Sequence, residues 1–192
     1  MGMQKPIATT RSVTGMSTGH LAVWWVIASE IVIFGGVLGS YLMFRLSHPE
    51  WAAQSAHTNV WFGGLNTFVL LTSSYFAVMA HNAAEQKDTK MAHRYLWYTI
   101  GLSGVFLCVK SVEWTIEITA GYTITSSVFW SFYYIAAGVH AFHVICGAIL
   151  MIWIAGLAKR GEELQRVELI GIYWHFVDLV WIFLFPLLYI AK

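Results

Sequence analysis

Five long apolar runs constrain this 192-residue sequence more than any other feature. Each run has roughly 20 residues or more, the length that an α-helix needs to cross the hydrocarbon core of a bilayer. Backbone amides find no water inside lipid, so an isolated spanning segment of this length is helical. The pattern therefore predicts an all-α polytopic membrane protein, a bundle of five transmembrane helices over His20–Phe44, Val60–His81, Tyr95–Ile116, Val128–Leu157 and Ile170–Ala191.

The composition and the short connections agree with a membrane location. Hydrophobic residues make up 58% of the sequence and charged residues 11%, less than half the share usual in a soluble domain. The net charge of +1 gives no reason to expect a nucleic acid partner. The sequence predicts a polar N-terminal tail over residues 1–19 and a single membrane domain over residues 20–192. The first run is longer than the apolar part of a cleavable signal peptide, so we expect it to remain as an anchor.

Lysine and arginine residues are distributed unevenly between the two ends of the predicted helices. One side carries only Arg45 and Lys192. The other side contains the tail and the second and fourth connections, with Lys5, Arg11, Lys87, Lys90, Arg94, Lys159, Arg160 and Arg166. Because cytoplasmic loops have an excess of basic residues, we expect a multi-pass protein of a bacterial-type cytoplasmic membrane, with its N-terminus in the cytoplasm and its C-terminus outside.

Aromatic and small residues give expectations for the surface and the packing of the helices. Gly35 and Gly39 form a GxxxG pattern, which favours close contact between helices. Cys108 and Cys146 lie inside apolar runs and are expected to be small buried side chains. Tryptophan and tyrosine concentrate at lipid headgroups, and an interfacial belt is predicted for Trp24, Trp25, Trp97, Tyr98, Trp130, Tyr133, Trp174 and Tyr189.

Glu30 is the ionisable residue that lies deepest in the first run. It follows ten residues of that run, which places it about 15 Å deep, near the midplane of the bilayer. A charged group there is costly, so the carboxyl should be neutral or hydrogen-bonded. It is either a proton-linked carboxyl or a structural clamp to a neighbouring helix, and its position alone favours neither.

The remaining polar residues of the runs fall into three groups. Late in the third run, spacings of three and four bring Lys110, Glu113 and Glu117 together, and a local ion pair near the outer surface is expected. His140 and His143 share a face of the fourth run, as His175 and Asp178 do in the fifth. A haem held by two histidines needs ligands from two facing helices at matching depth, and no recognised ligand spacing occurs. We therefore expect no metal or cofactor in this chain, but buried hydrogen-bonded histidines, with Asp178 orienting His175.

Several motifs together resemble a known family. The fifth run contains WHFVDLVWIFLF over residues 174–185, which resembles the WHFVDxVWxFLF signature of cytochrome c oxidase subunit III in the haem–copper oxidases. Residues 138–144, GVHAFHV, are similar to the family's TGxHGxHV, and residues 65–74 are similar to its LNTxxLLxSS. Ser29-Glu30 and Glu113-Trp114 resemble two further family pairs. The motifs occur in the family's order, from about Leu21 to the end of the sequence.

The sequence also departs from the family pattern. The long form of the family has seven helices, and its first two have no counterpart here, so the resemblance is to a short five-helix form. The other five helices keep the orientation expected above. Ala137 and Ala141 replace a threonine and a glycine around His140, and Lys110 stands where mitochondrial forms have glutamine.

The resemblance implies a non-catalytic subunit of a respiratory oxidase. Such a subunit packs beside the catalytic subunit I and other membrane subunits, supports proton uptake and stability, and binds phospholipid. It holds no redox metal, and haem and copper belong to the catalytic partner. By resemblance, Glu30 is the carboxyl near that partner. Two alternatives stay open: an accessory subunit of a nitric oxide reductase, and an independent transporter, for which neither an inverted repeat nor a pair of broken helices is evident.

Overall fold

The computed structural model describes residues 15–191 of the chain. Most of the predicted tail, with Lys5 and Arg11, and also Lys192 lie outside the described residues. The described part is helical and contains no strand. Its helices are α1 (Thr18–Ser47), α2 (Trp51–Ser55), α3 (Val60–Glu85), α4 (Thr89–Thr119), α5 (Val128–Arg160) and α6 (Gln165–Phe185), and α6 continues into a C-terminal π turn (Pro186–Ile190).

Five of these helices, all except α2, are long and apolar enough to cross a membrane, which confirms the predicted all-α polytopic fold. Helices α1 and α4 begin before the apolar runs and α3 and α5 begin with them, and a polar residue caps the N-terminus of each of these four. The side chain of each capping residue accepts a hydrogen bond from a backbone N–H of the first turn. The caps are Ser17 for α1, Asn59 for α3, Asp88 for α4 and Ser127 for α5. Short helix α2, in the first connection, was not predicted.

Helices α3 to α6 form the core of the bundle, and α1 lies at its edge against α5 and α6. The buried apolar side chains of the α1 span are Ile27, Phe34 and Tyr41, spaced by seven residues. In α1 one residue in seven is a buried apolar contact, whereas the seam of a coiled coil uses two residues in seven. Most of α1 therefore faces away from the rest of the chain.

The closest helix contacts occur at glycines other than the predicted pair. A Cβ added at Gly63 would lie 2.7 Å from the ring of Phe185, and one at Gly147 would lie 2.9 Å from the ring of Trp174. A Cβ at Gly35 or Gly39 would meet nothing within 4 Å. The expectation that this GxxxG pattern brings helices of the chain together is therefore wrong, because the glycines lie on the open face of α1.

Half of the predicted aromatic belt lies in the interior of the bundle. Trp24, Trp25, Trp97 and Tyr98 are exposed, whereas Trp130, Tyr133, Trp174 and Tyr189 are buried. Nearness to a helix end gives the depth of a side chain but does not tell which way it faces. The Trp174 indole, for example, donates a hydrogen bond to Ser73 Oγ at 3.0 Å. Cys108, expected to be buried, is exposed.

Candidate functional site

Glu30 of α1 lies against His143 of α5. Glu30 Oε2 is 2.9 Å from His143 Nε2, within ion-pair distance, although the contact lacks the angle of a full hydrogen bond. The two side chains are 13% and 14% exposed. His143 Nδ1 lies 2.8 Å from the Val139 carbonyl, which can only accept, so Nδ1 carries a hydrogen.

The hydrogen on Nδ1 determines how many protons the Glu30–His143 contact holds. If His143 is neutral, Nε2 has a lone pair, and a favourable contact requires Glu30 to be a protonated acid. If His143 is an imidazolium, Nε2 has its own hydrogen and Glu30 is a carboxylate. In both cases one hydrogen lies between the carboxyl and Nε2, and the contact joins α1 to α5.

The Glu30–His143 pair lies in the wall of an open groove between α1, α5 and α6. The groove has a volume of about 450 Å³ and is almost entirely apolar. Arg166 also lines it, 4.9 Å from the centre of the Trp153 ring, and pairs with Glu163. The groove therefore has apolar walls and a charged side chain at one end.

The second polar group is centred on Lys110 of α4 and is buried. Lys110 is 2% exposed, and its Nζ donates to Glu113 Oε2 at 3.0 Å, to Tyr133 Oη at 2.9 Å and to Tyr189 Oη. All three hydrogens of the ammonium are thus used. Four aromatic rings surround Nζ, with centroids between 4.6 and 5.6 Å away, from Trp114, Tyr133, Trp181 and Tyr189.

This arrangement corrects the expectation of a local pair near the outer surface. Lys110 does pair with Glu113, but the contacts reach from α4 to α5 and to the C-terminal π turn. Tyr133 and Tyr189 belong to the group, and the sequence had placed both in the interfacial belt. We call Lys110, Glu113, Glu117, Tyr133 and Tyr189 the Lys110 cluster.

The predicted hydrogen bond between His175 and Asp178 is absent, and the two side chains face different surroundings. His175 is exposed rather than buried, and its Nδ1 lies 2.5 Å from Ser74 Oγ. Asp178 is buried beside the Ser74 hydroxyl, and neither of its carboxyl oxygens has a well-formed hydrogen bond to a described residue. Residues three apart on a helix differ by about 60° in direction. That difference places Asp178 at the centre of the inward face of α6 and His175 at its exposed edge.

His140 is buried without a hydrogen-bond partner. Both of its ring nitrogens lack one among the described residues, so the expectation of a hydrogen-bonded histidine is wrong here. Its ring packs against Phe106 and Trp181, with centroids 5.5 and 5.1 Å away. Within residues 15–191, no group of three or more His, Cys, Asp or Glu side chains could hold a metal ion.

The fold and its polar interior define a class, a multi-pass α-helical membrane protein with ionisable side chains buried between its helices. Comparison with known proteins gives the family. The family of cytochrome c oxidase subunit III matches residues 8–192. The chain therefore belongs to the cytochrome c oxidase subunit III family, which confirms the resemblance that the motifs indicated.

Individual relatives support the same family. Cytochrome c oxidase subunit 3 of Thermostichus vulcanus is 31% identical over 167 residues, which cover 84% of this chain and 82% of the relative. The protein of the same name from Corynebacterium diphtheriae is 31% identical, with 86% and 84% covered. A heme-copper oxidase subunit I+III of Aeropyrum pernix is 28% identical over 88% of this chain and 22% of that longer protein.

Proposed function

We propose that the chain is the non-catalytic subunit III of a respiratory haem–copper terminal oxidase. In this role it packs beside the catalytic subunit I and other membrane subunits, and it supports proton uptake and stability during oxygen reduction. The match to the subunit III family over nearly the whole chain carries the proposal. The name of the Aeropyrum pernix relative, which joins subunits I and III in one protein, supports subunit I as the partner.

Haem and copper in this proposal belong to the catalytic partner, and the chain itself supplies no ligand for them. A phospholipid fits the groove beside Glu30, with its chains against the apolar wall and its phosphate near Arg166. The membrane is of the bacterial cytoplasmic type, with the N-terminus inside. The basic residues of the α3–α4 and α5–α6 connections support this orientation, because both connections lie at the same end of the bundle.

Glu30 is the proposed proton-linked residue of the subunit. Its contact with His143 is also a helix clamp, so the contact alone does not separate the two roles. Two observations favour a proton role. The pair holds one proton whichever residue carries it, and the pair lines an open groove instead of being sealed in the core. A proton at this place can move between carboxyl and imidazole with little displacement of either side chain.

Glu30→Gln separates the proton role from the clamp, because glutamine keeps the shape and can still donate to His143 but cannot titrate. The measurement is steady-state gas reduction by the intact complex across a pH series. We expect the variant complex to assemble and to lose turnover most clearly at high pH, where protons are scarce. Glu85→Gln, which changes an exposed carboxyl at the end of α3, is the matched control. Identical pH profiles for wild type and Glu30→Gln would leave only the structural role.

A separate measurement tests the assignment to an oxidase. The haem-bearing chain that co-purifies with this subunit, and the gas that the complex reduces, distinguish oxygen reduction from nitric oxide reduction. Proton movement by the purified chain alone in vesicles would instead indicate an independent transporter.

A further inference from the structure

The Lys110 cluster has an unbalanced charge if all its groups are ionised. It contains one ammonium, on Lys110, and two carboxyls, on Glu113 and Glu117. All three residues are at most 5% exposed. A net negative charge buried inside a helix bundle is costly unless it is paired. The cluster therefore needs either a second cation or one additional proton.

The hydrogen-bond donors available to the four carboxyl oxygens show where that proton lies. Glu113 Oε2 accepts from Lys110 at 3.0 Å, and Glu113 Oε1 lies 3.1 Å from the Tyr133 hydroxyl. Glu117 Oε1 accepts from the same hydroxyl at 3.0 Å. Glu117 Oε2 is buried and has no hydrogen-bond partner among the described residues. The Tyr189 hydroxyl, which also lies beside the Glu113 carboxyl, can donate to Glu113 Oε1, so Glu117 Oε2 is the one carboxyl oxygen of the cluster without a donor among the described residues.

Tyr134 supplies no hydrogen to the Glu117 carboxyl. Its hydroxyl lies near that carboxyl without a well-formed hydrogen bond to Oε2, and it donates its only hydrogen to the Tyr122 carbonyl at 2.7 Å. Tyr134 can therefore offer Glu117 only a lone pair. A lone pair repels a carboxylate, whereas it accepts a hydrogen bond from a protonated acid.

We propose that Glu117 is a proton-binding site, a neutral acid whose hydrogen lies on Oε2 and balances the charge of the Lys110 cluster. Glu117 is two residues from the end of α4 at Thr119, a rise of about 3 Å, so the aqueous phase beyond that end can exchange the proton. This site lies at the opposite end of the bundle from the basic connections, and it is separate from the Glu30–His143 pair.

The groups that face Glu117 come from each element packed around it. Lys110 and Glu113 belong to α4, Tyr133 and Tyr134 to α5, and Tyr189 to the C-terminal π turn. Tyr122 belongs to the α4–α5 connection, and its ring stacks on His57 at 4.9 Å. Loss of the proton leaves the cluster net negative, and the Glu117 carboxylate then competes with Glu113 for Lys110 and for the Tyr133 hydroxyl.

Infrared spectroscopy of the full chain in lipid nanodiscs tests the proposal. At neutral pH we expect a carboxylic acid C=O band that shifts in deuterated water and disappears as the pH rises. The band should be lost in Glu117→Gln and retained in Glu113→Gln. Since glutamine resembles the protonated acid, Glu117→Gln should unfold at a temperature close to wild type, whereas Glu113→Gln should not. Spectra that are unchanged by Glu117→Gln would overturn the assignment.

Two tyrosine variants keep the test decisive if Glu117→Gln fails to fold. Tyr134→Phe removes the lone pairs that lie near the carboxyl and disfavour a carboxylate, so the band should disappear at a pH lower by about half to one unit. Tyr133→Phe removes a donor to the carboxylate and should shift that pH upwards by a similar amount. An upward shift in both variants would mean that Tyr134 also donates to a carboxylate, and the proposal would be wrong.

Discussion

Lys110→Met tests how far the Lys110 cluster stabilises the bundle. Methionine fills a similar volume but removes the ammonium. Three acceptors, Glu113 Oε2 and the hydroxyls of Tyr133 and Tyr189, then lose their donor at once. Removing one partner of a buried ion pair costs about 3–5 kcal/mol, because the other charge stays buried and unpaired. Glu113 is 1% exposed and cannot turn to solvent.

The assay is equilibrium unfolding of the full chain in bicelles by a denaturing detergent. We expect Lys110→Met to lower the free energy of unfolding by about 3–5 kcal/mol. The double variant Lys110→Met/Glu113→Gln removes both charges and should recover more than half of that loss, because an apolar or neutral pair avoids the desolvation of ions. If the single variant is as stable as wild type, or if the double variant is no better than the single one, the reasoning about a buried, fully bonded ammonium fails.

Three further outcomes follow from the structure. Gly147→Ala should lower the free energy of unfolding by about 1–3 kcal/mol, because its methyl group would press on the Trp174 ring. The control Gly36→Ala, whose methyl group would meet nothing within 4 Å, should change that free energy little. Equal effects of the two variants would contradict the packing. Asp178→Ala should reduce retention of the subunit in the purified complex, since it empties a buried site at a cost of about 0.5–3 kcal/mol, whereas Asp178→Asn should not; full retention of the alanine variant would refute a structural role. The isolated chain should bind no haem, and a stoichiometric Soret band in its optical spectrum would contradict this.

The spans could be predicted from the sequence because their signal is length and hydrophobicity. Helices α3 and α5 begin at Val60 and Val128, where the apolar runs begin. The family could be predicted because WHFVDLVWIFLF is long and rich in rare residues. Both signals are local in the chain, and neither requires knowledge of which side of a helix faces inward.

The inward faces could not be predicted for a physical reason. In a soluble protein, an apolar stripe marks the side of a helix that is buried. A spanning helix is apolar all round, because lipid covers its outer side. Tyr133 and Tyr189, which bond Lys110 in the interior, therefore have the same sequence context as exposed belt residues such as Tyr98. The same ambiguity explains the incorrect expectations for His175 and for the glycines of α1.

The pairing of Glu30 with His143 has a consequence for how α1 is held. Because the apolar stripe of α1 is narrow and lipid gives helices no hydrophobic reason to associate, polar contacts take a larger share of its attachment. They occur along its whole length: His20 with Glu168 at 3.1 Å, Glu30 with His143 at 2.9 Å, the Tyr41 hydroxyl with the Leu187 carbonyl at 2.8 Å, and Arg45 with the Ala191 carbonyl at 2.6 Å. The contact near the midplane is the one farthest from water. Loss of this contact therefore weakens the attachment of α1 at its middle, so the proposed proton exchange at Glu30 would act on the least buried of the five spanning helices.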